Sequence, residues 1–384
     1  MKQSVETIHE RNDIIENIIQ AFQRREQFLI LGHKNQDEDC IASMVAMALL
    51  VSKFSKKVSV FLSKGVHEHF QYLLDICRHN AIQCSENISP EVNGVDTIVI
   101  CDTPKPSMID STPFIDALLA DSNVLKIEID HHLGADSQYI GDVGYRMVTE
   151  ANSSSELVGI IALKLDKRTE LLRGYNISST LSRNIILSVI TGIVGDTNMG
   201  QFVKSRRQKA YYNVFSGLYN VLLERETTKA SNFTNMDQVF HEIQRLSAGE
   251  EKCYQYMYDK KRTSRSIGYI VLDRGDMDYL RGDFETDTII SVSRSIADRL
   301  AEESARLGLV VYDDFPATGL YQFRLRRSQA YKTFDVRKIL ESFSIKDGGG
   351  HEGAIGFRIP REQIPDIKAY VKELVDGIEK ILGA

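Results

Sequence analysis

Val124-Leu125-Lys126-Ile127-Glu128-Ile129-Asp130-His131-His132 is an apolar run that ends abruptly in an acid and two imidazoles. Val124, Leu125, Ile127 and Ile129 predict a buried strand over 124–129. The same pattern recurs upstream. Phe28-Leu29-Ile30-Leu31 runs into Gly32-His33, and Thr97-Ile98-Val99-Ile100 runs through Cys101 into Asp102. Helical spacing falls between these runs, at 5–25, 40–54, 67–79 and 113–120, with a further strand at 57–62. Helices near 155–166 and 182–195 complete this half. Continuous Val/Ile/Leu runs alternating with helices predict a parallel sheet covered on both faces.

The rest of the chain divides in two. Residues 203–260 read as helical, interrupted by polar Ser231–Asn235. Beyond them, strands are predicted at 266–273, 308–313, 319–326 and 354–359, with helices at 286–304, 335–343 and 361–381. Asp347-Gly348-Gly349-Gly350-His351 reads as a glycine-dense loop. The expected architecture is therefore α/β: a parallel-sheet domain over 1–202, a helical connector over 203–262, and a smaller α/β domain over 263–384. With 384 residues the chain suits more than one domain.

Composition narrows the function classes. The chain is 42% hydrophobic and 26% charged, with a net charge of -6, which argues against a basic nucleic-acid coat. The five cysteines (Cys40, Cys77, Cys84, Cys101 and Cys253) form no CxxC pair, so they read as reduced core thiols of a cytoplasmic protein. The charged N-terminus lacks the apolar core of a signal peptide, and no apolar run is long enough to span a membrane.

Four clusters carry chemistry. They are His33-Lys-Asn-Gln-Asp37-Glu-Asp39, Asp102, Asp130-His131-His132, and Asp196 in Gly192-Ile-Val-Gly-Asp196. Taken singly, a strand-end aspartate is more often a cap or turn former. A His-His pair is often plain surface polarity, and Glu38 reads as a solvated helix N-terminal charge. Jointly they differ, because all strand C-termini of a parallel sheet lie on one edge. Carboxylates gathered there at ~4 Å repel by several kcal/mol at intermediate dielectric, and divalent cations relieve this. A mixed carboxylate–imidazole set without cysteine favours two Mn²⁺ ions over a pure Mg²⁺ site, and Co²⁺ also fits. Two such ions can clamp a phosphoryl group.

These motifs, in this order, resemble the DHH phosphoesterase family. Gly348-Gly349-Gly350-His351, with Arg327-Ser328 upstream, resembles the signature of the associated DHHA1 substrate domain. The resemblance implies that His33 and Asp37 bind a first metal, that Asp39, His131 and Asp196 bind a second, and that Asp102 bridges them. It implies that His132 contacts the phosphate or helps the leaving group, that Asp130 orients the histidines, and that Arg327, Ser328, Gly348, Gly349, Gly350 and His351 hold substrate. It places the chain near the oligoribonucleotidase and cyclic-dinucleotide phosphodiesterase branch. The implied substrates are short RNA or DNA oligonucleotides, linear or cyclic dinucleotides, and nucleoside 3′,5′-bisphosphates. A homodimer is compatible with this reading. Two rival readings are a hydrolase of inorganic pyrophosphate or polyphosphate and a non-catalytic nucleotide sensor. Gln36, Glu38 and Ala42 stand where the family carries proline and glycines. Asn198-Met199-Gly200-Gln201-Phe202 is also atypical, and these departures bear on pocket shape.

The remaining basic residues (Lys204, Arg206, Arg207 and Lys209, then Arg324, Arg326 and Lys332) read as solvated charge. Tyr321, Phe323 and Tyr331 are candidates for base stacking, with the first two equally readable as core.

Overall fold

The computed structural model describes residues 1–383, except 64, 65, 67, 87–93, 135, 136, 201, 204, 224–232, 315 and 316, and except the side chains of Ala248, Gln329 and His351. Contacts divide the chain into two compact units, Met1–Arg245 and Leu246–Ala384.

In the first unit the elements run α1 (Ile8–Arg24), β1 (Gln27–Leu31), α2 (Glu38–Ser52), β2 (Lys57–Phe61), α3 (Gln71–His79), β3 (Gln83–Ser85), β4 (Thr97–Cys101), α4 (Pro113–Ala120), β5 (Leu125–Asp130), β6 (Arg146–Val148), α5 (Ser154–Asp166), α6 (Thr169–Gly174), α7 (Arg183–Thr197), α8 (Arg206–Leu223) and α9 (Met236–Ile243). The six strands pair in parallel in the order β3-β2-β1-β4-β5-β6. The parallel sheet predicted from the apolar runs is therefore present.

Its two faces bury alternate side chains, as a period of two requires. Phe28, Ile30, Val99 and Cys101 enter the large core with α1, α2, α5 and α7. Leu29, Leu31, Ile98 and Ile100 enter a smaller core with Ile115 of α4. Helix α2 is buried from Asp39 through Val51, which explains why it is apolar on every side. From β1 the chain proceeds outward to β2 and β3, then crosses back to β4 on the other side. This reversal creates a crevice at the C-terminal ends of β1 and β4.

The stretch 203–262 is divided between the units. Helices α8 and α9 pack on α7, whereas α10 (Ala248–Tyr258) packs on α12 (Thr286–Ser304) in the second unit. Of the expected polar interruption, Ser231 and Asn232 lie outside the described residues.

The second unit continues with β7 (Arg262–Thr263), β8 (Ile267–Leu272), α11 (Arg274–Asp283), β9 (Leu307–Asp313), β10 (Leu320–Arg327), α13 (Arg337–Ser342), β11 (Gly348–His351), β12 (Ala354–Pro360) and α14 (Ile367–Ile381). The strand order is β11-β12-β10-β9-β8-β7, with only β8 and β9 parallel. The glycine run is a strand rather than the expected loop: Gly348 through His351 pair antiparallel with Phe357 through Ala354. Glycine has little strand propensity of its own, so the pairing with β12 imposes this conformation. Tyr321 and Phe323 are core residues, 5% and 1% exposed, and Phe323 stacks on Phe357. Tyr331 instead stacks on Phe334.

Candidate metal centre

The crevice collects the four clusters of the first unit. Asp102 follows β4 directly and adopts a left-handed backbone (φ 49°). Aspartate is among the residues that tolerate this conformation. Its buried carboxylate is the hub. Oδ2 lies 3.5 Å from His33 Nε2, and Oδ1 lies 3.4 Å from His131 Nε2 and 3.5 Å from His132 Nδ1. Asp37 stands 3.5 Å from His33 Nε2. His131 Nε2 lies 3.3 Å from Asp196 and 3.9 Å from Asp39. All six residues expected to hold metal, and both candidate partners Asp130 and His132, thus sit in one crevice.

Local structure explains the placement. Asp37 is the N-cap of α2 and accepts from Cys40 N at 3.1 Å, so the modest capping role and the site role coincide. Asp39, in the first turn of α2, points at the N-terminus of α5. Ser154 N and Ser155 N donate to its two oxygens at 2.6 and 2.9 Å. Helix N-termini favour anions, so α5 holds this carboxylate in position. Ser154 Oγ also donates to Asp102 at 2.9 Å. Asp196 occupies the last turn of α7, where the helix dipole disfavours an acid. The close approach of α7 depends on Gly192: a Cβ there would fall 2.3 Å from Asp39 Oδ1 and 2.2 Å from Ser155 Oγ.

The electrostatics are those of a site that fits divalent cations. Burial pushes the Asp39 carboxyl up to about 7, and the Asp102 charge adds to this. Burial, then the Asp39 charge, raises Asp196 well above the usual carboxylate range. Burial and the Asp37 charge take Glu38 up to about 7. Burial would also raise Asp102, but hydrogen bonds from His131 and His33 outweigh it and hold this carboxyl well below its ordinary value. Burial opposes protonation of His131, yet Asp102 and Asp196 raise it well above the ordinary imidazole value. Three groups have ligand atoms within 4.8 Å of one another: His33/Cys40/Asp102, Asp102/His131/His132 and Asp39/His131/Asp196. Asp102 and His131 are each shared between two of them, as closely spaced ions require.

Cys40 is not a simple core thiol, because it lies beside His33 at the site. Burial pushes the thiol up to about 12, so it stays protonated and adds no charge. The departures from the family pattern have structural roles. Gln36 accepts from Ser63 N at 3.1 Å and donates to Phe61 O at 3.3 Å, tying the β1–α2 loop to the end of β2. Glu38 packs against Gly195, where a Cβ would fall 2.1 Å from Glu38 Cγ. It is therefore not a plain solvated charge. Asn198 caps α7 in the left-handed conformation that asparagine tolerates. Gln201 and Lys204 lie outside the described residues. Serines 153–155 gave no signal, since an N-cap serine run looks the same with or without an anion to bind.

In the second unit the register Arg326↔Ala354↔His351 brings Arg327-Ser328 and Gly348–His351 to one end of the sheet. Arg327 donates through one nitrogen to Lys332 O (2.8 Å) and Phe334 O (2.7 Å). Ser328 is buried, bonds Glu302 at 3.0 Å and caps the turn that follows. Gly350 has φ 141° and a Cβ there would meet Ala354 O at 2.1 Å, whereas Gly349 faces open space. The side chain of His351 lies outside the described residues.

An α/β unit with a carboxylate–imidazole cluster at the switch point of a parallel sheet is the class of metal-binding proteins this geometry defines. Residues 27–193 match the DHH family, N-terminal domain, and the first unit carries a DHH-family domain. The chain is 30% identical over 142 residues to a probable manganese-dependent inorganic pyrophosphatase of Bacillus velezensis. That match covers 37% of this chain and 40% of the relative's length. Its fold is similar to that of an exopolyphosphatase-related protein from Bacteroides fragilis (TM-score 0.63, 16% identity), over 97% of this chain and 98% of the other. Among the described residues no helix is long and apolar enough to cross a membrane.

Proposed function

We propose that this chain is a Mn²⁺-dependent phosphodiesterase that hydrolyses short oligonucleotides or linear and cyclic dinucleotides to mononucleotides, and also takes nucleoside 3′,5′-bisphosphates. The observation that carries the reading is the buried Asp102 carboxylate, shared at 3.4–3.5 Å among His33, His131 and His132. His33 and Asp37 would hold one ion, Asp39, His131 and Asp196 would hold the other, and Asp102 would contribute to both. When bound, the ions supply positive charge to the phosphoryl oxygens and acidify a water. Asp130 Oδ1 lies 2.8 Å from His132 Nδ1, and with the carboxylate accepting the Nδ1–H hydrogen bond, Nε2 is the nitrogen offered to the substrate phosphate. The second unit acts as the DHHA1-type substrate domain. There Gly348–Gly350 lie exposed on the edge strand of the sheet, where backbone N–H groups can approach an anion. Arg327 lies at the same end of the sheet. Five unpaired thiols favour a reducing, cytoplasmic setting.

The test is a Mn²⁺-dependent panel of pApA, RNA 2- to 5-mers, cyclic di-AMP, a nucleoside 3′,5′-bisphosphate, pyrophosphate and polyphosphate. Turnover of the nucleotides, lost in Asp102→Asn, is the expected result. Asparagine keeps the shape and tolerates the left-handed backbone at this position. Turnover of pyrophosphate or polyphosphate alone would replace this reading with that of an inorganic phosphatase, which the 30% identity to the Bacillus velezensis protein favours. Near-normal nucleotide turnover by Asp102→Asn would sink the two-metal reading.

A further inference from the structure

A buried cation lies behind the histidine pair. Lys2 precedes the first helix and is 2% exposed. Its Nζ donates to Asp130 Oδ2 at 2.5 Å and to Thr103 O at 2.7 Å, and pairs with Glu128 Oε1 at 2.7 Å. An ammonium this deep is costly unless it is matched, and here it donates two hydrogen bonds to oxygen and has the Glu128 carboxylate beside it as a second opposite charge. The segment around it is fastened down. Lys2 N donates to Ser137 Oγ at 2.9 Å, Gln3 N to the Tyr139 hydroxyl at 2.8 Å, and Val5 N to Val148 O at 2.9 Å. Glu128 is held from its other oxygen by Ile140 N and Gly141 N, at 3.1 and 3.0 Å. Asp130 is thereby gripped at both oxygens, Oδ2 by Lys2 and Oδ1 by His132 Nδ1.

We propose that Lys2 is a positioning residue for His132, acting through Asp130. A carboxylate held at one oxygen can pivot, and the imidazole it orients pivots with it. The ammonium fixes the second oxygen, so the direction of the His132 ring is set from the segment that precedes α1. The consequence for turnover rests on the phosphoesterase reading, but the ring orientation does not.

Lys2→Met alone leaves Glu128 and Asp130 as unmatched buried carboxylates and can fail to fold. Lys2→Met/Glu128→Gln keeps the local charge sum and serves as the second variant. In the full-length protein with Mn²⁺ and pApA, either variant is expected to lose kcat by about 10- to 100-fold, with KM changed less than about twofold. In an Asp130→Asn background the same change should add almost nothing, whereas a purely structural role would multiply through. A ¹⁵N-histidine spectrum without metal should show the His132 Nδ1–H signal shifted or broadened in the double variant. Unchanged kcat with an unmoved ring signal, or full multiplication in the Asp130→Asn background, would overturn the inference. Wild-type protein without Mn²⁺-dependent hydrolysis would sink the phosphoesterase reading alone, and the ring signal then decides the role of Lys2.

Discussion

Gly192→Ala perturbs the centre from a residue that ligates nothing. The added Cβ would sit 2.2 Å from Ser155 Oγ, 2.3 Å from Asp39 Oδ1 and 2.7 Å from Ser155 Cβ. None of these can yield easily, because Asp39 is clamped by two backbone N–H groups and Ser155 is in the first turn of α5. Overpacking costs about 1–3 kcal/mol. Displacing the carboxylate from one charge-assisted hydrogen bond costs ~1.5–3 kcal/mol more. Alanine returns about 1 kcal/mol of helix propensity. The net expectation is a loss of about 1.5–5 kcal/mol, read as a lower urea midpoint. Mn²⁺ affinity should drop about 10- to 100-fold, as when a group that orients a ligand is lost. Titration calorimetry with Mn²⁺ on the same preparation separates the two effects. A Gly192→Ala protein with wild-type Mn²⁺ affinity and an unchanged urea midpoint would refute the claim that α7 and α5 set the position of Asp39.

Further outcomes follow from the same geometry. Mn²⁺ affinity should rise steeply from pH 6 to 8, because the Asp39 proton, held up to about 7, must leave before the carboxylate binds an ion; a flat profile by calorimetry would count against Asp39 as a ligand. Without metal, the folded protein keeps that proton to about 7 while the unfolded chain releases it near 3.8, so between these values the folded state binds more protons and stability falls as pH rises. Mn²⁺ should reverse this trend in urea titrations. Asp102→Ala should lose Mn²⁺ binding as Asp102→Asn does and in addition unfold more easily by ~1–2 kcal/mol, because alanine tolerates φ 49° less well. In the second unit, Gly350→Ala should weaken nucleotide binding with Mn²⁺ affinity intact, whereas Gly349→Ala should leave the fold unchanged; equal effects on binding would argue against β11 as the substrate edge.

Much of this protein is legible in its sequence because burial on both faces writes itself as unbroken apolar runs. Phe28–Leu31, Thr97–Cys101 and the stretch into Asp130 mark parallel strands, and an acid or histidine at or just past the end of each marks the edge where they end. Helix boundaries at 113–120 and 286–304 also followed from periodicity. Short edge strands did not: Gln83–Ser85 and Arg146–Val148 carry too few residues to show a period. The glycine run carries no strand signal, and pairing with Ala354–Pro360 alone makes it one.

What the tertiary structure decided at the site are contacts between residues far apart in the chain. The amides of Ser154 and Ser155 reach Asp39 across 115 and 116 residues, and Lys2 reaches Asp130 across 128. A ligand's identity is local, because it depends on which residue ends a strand. Its orientation is not, because the groups that hold it come from whichever segments the packed sheet and helices bring alongside. The sequence by itself therefore determined which side chains could bind metal, and only the folded chain determined what aims them.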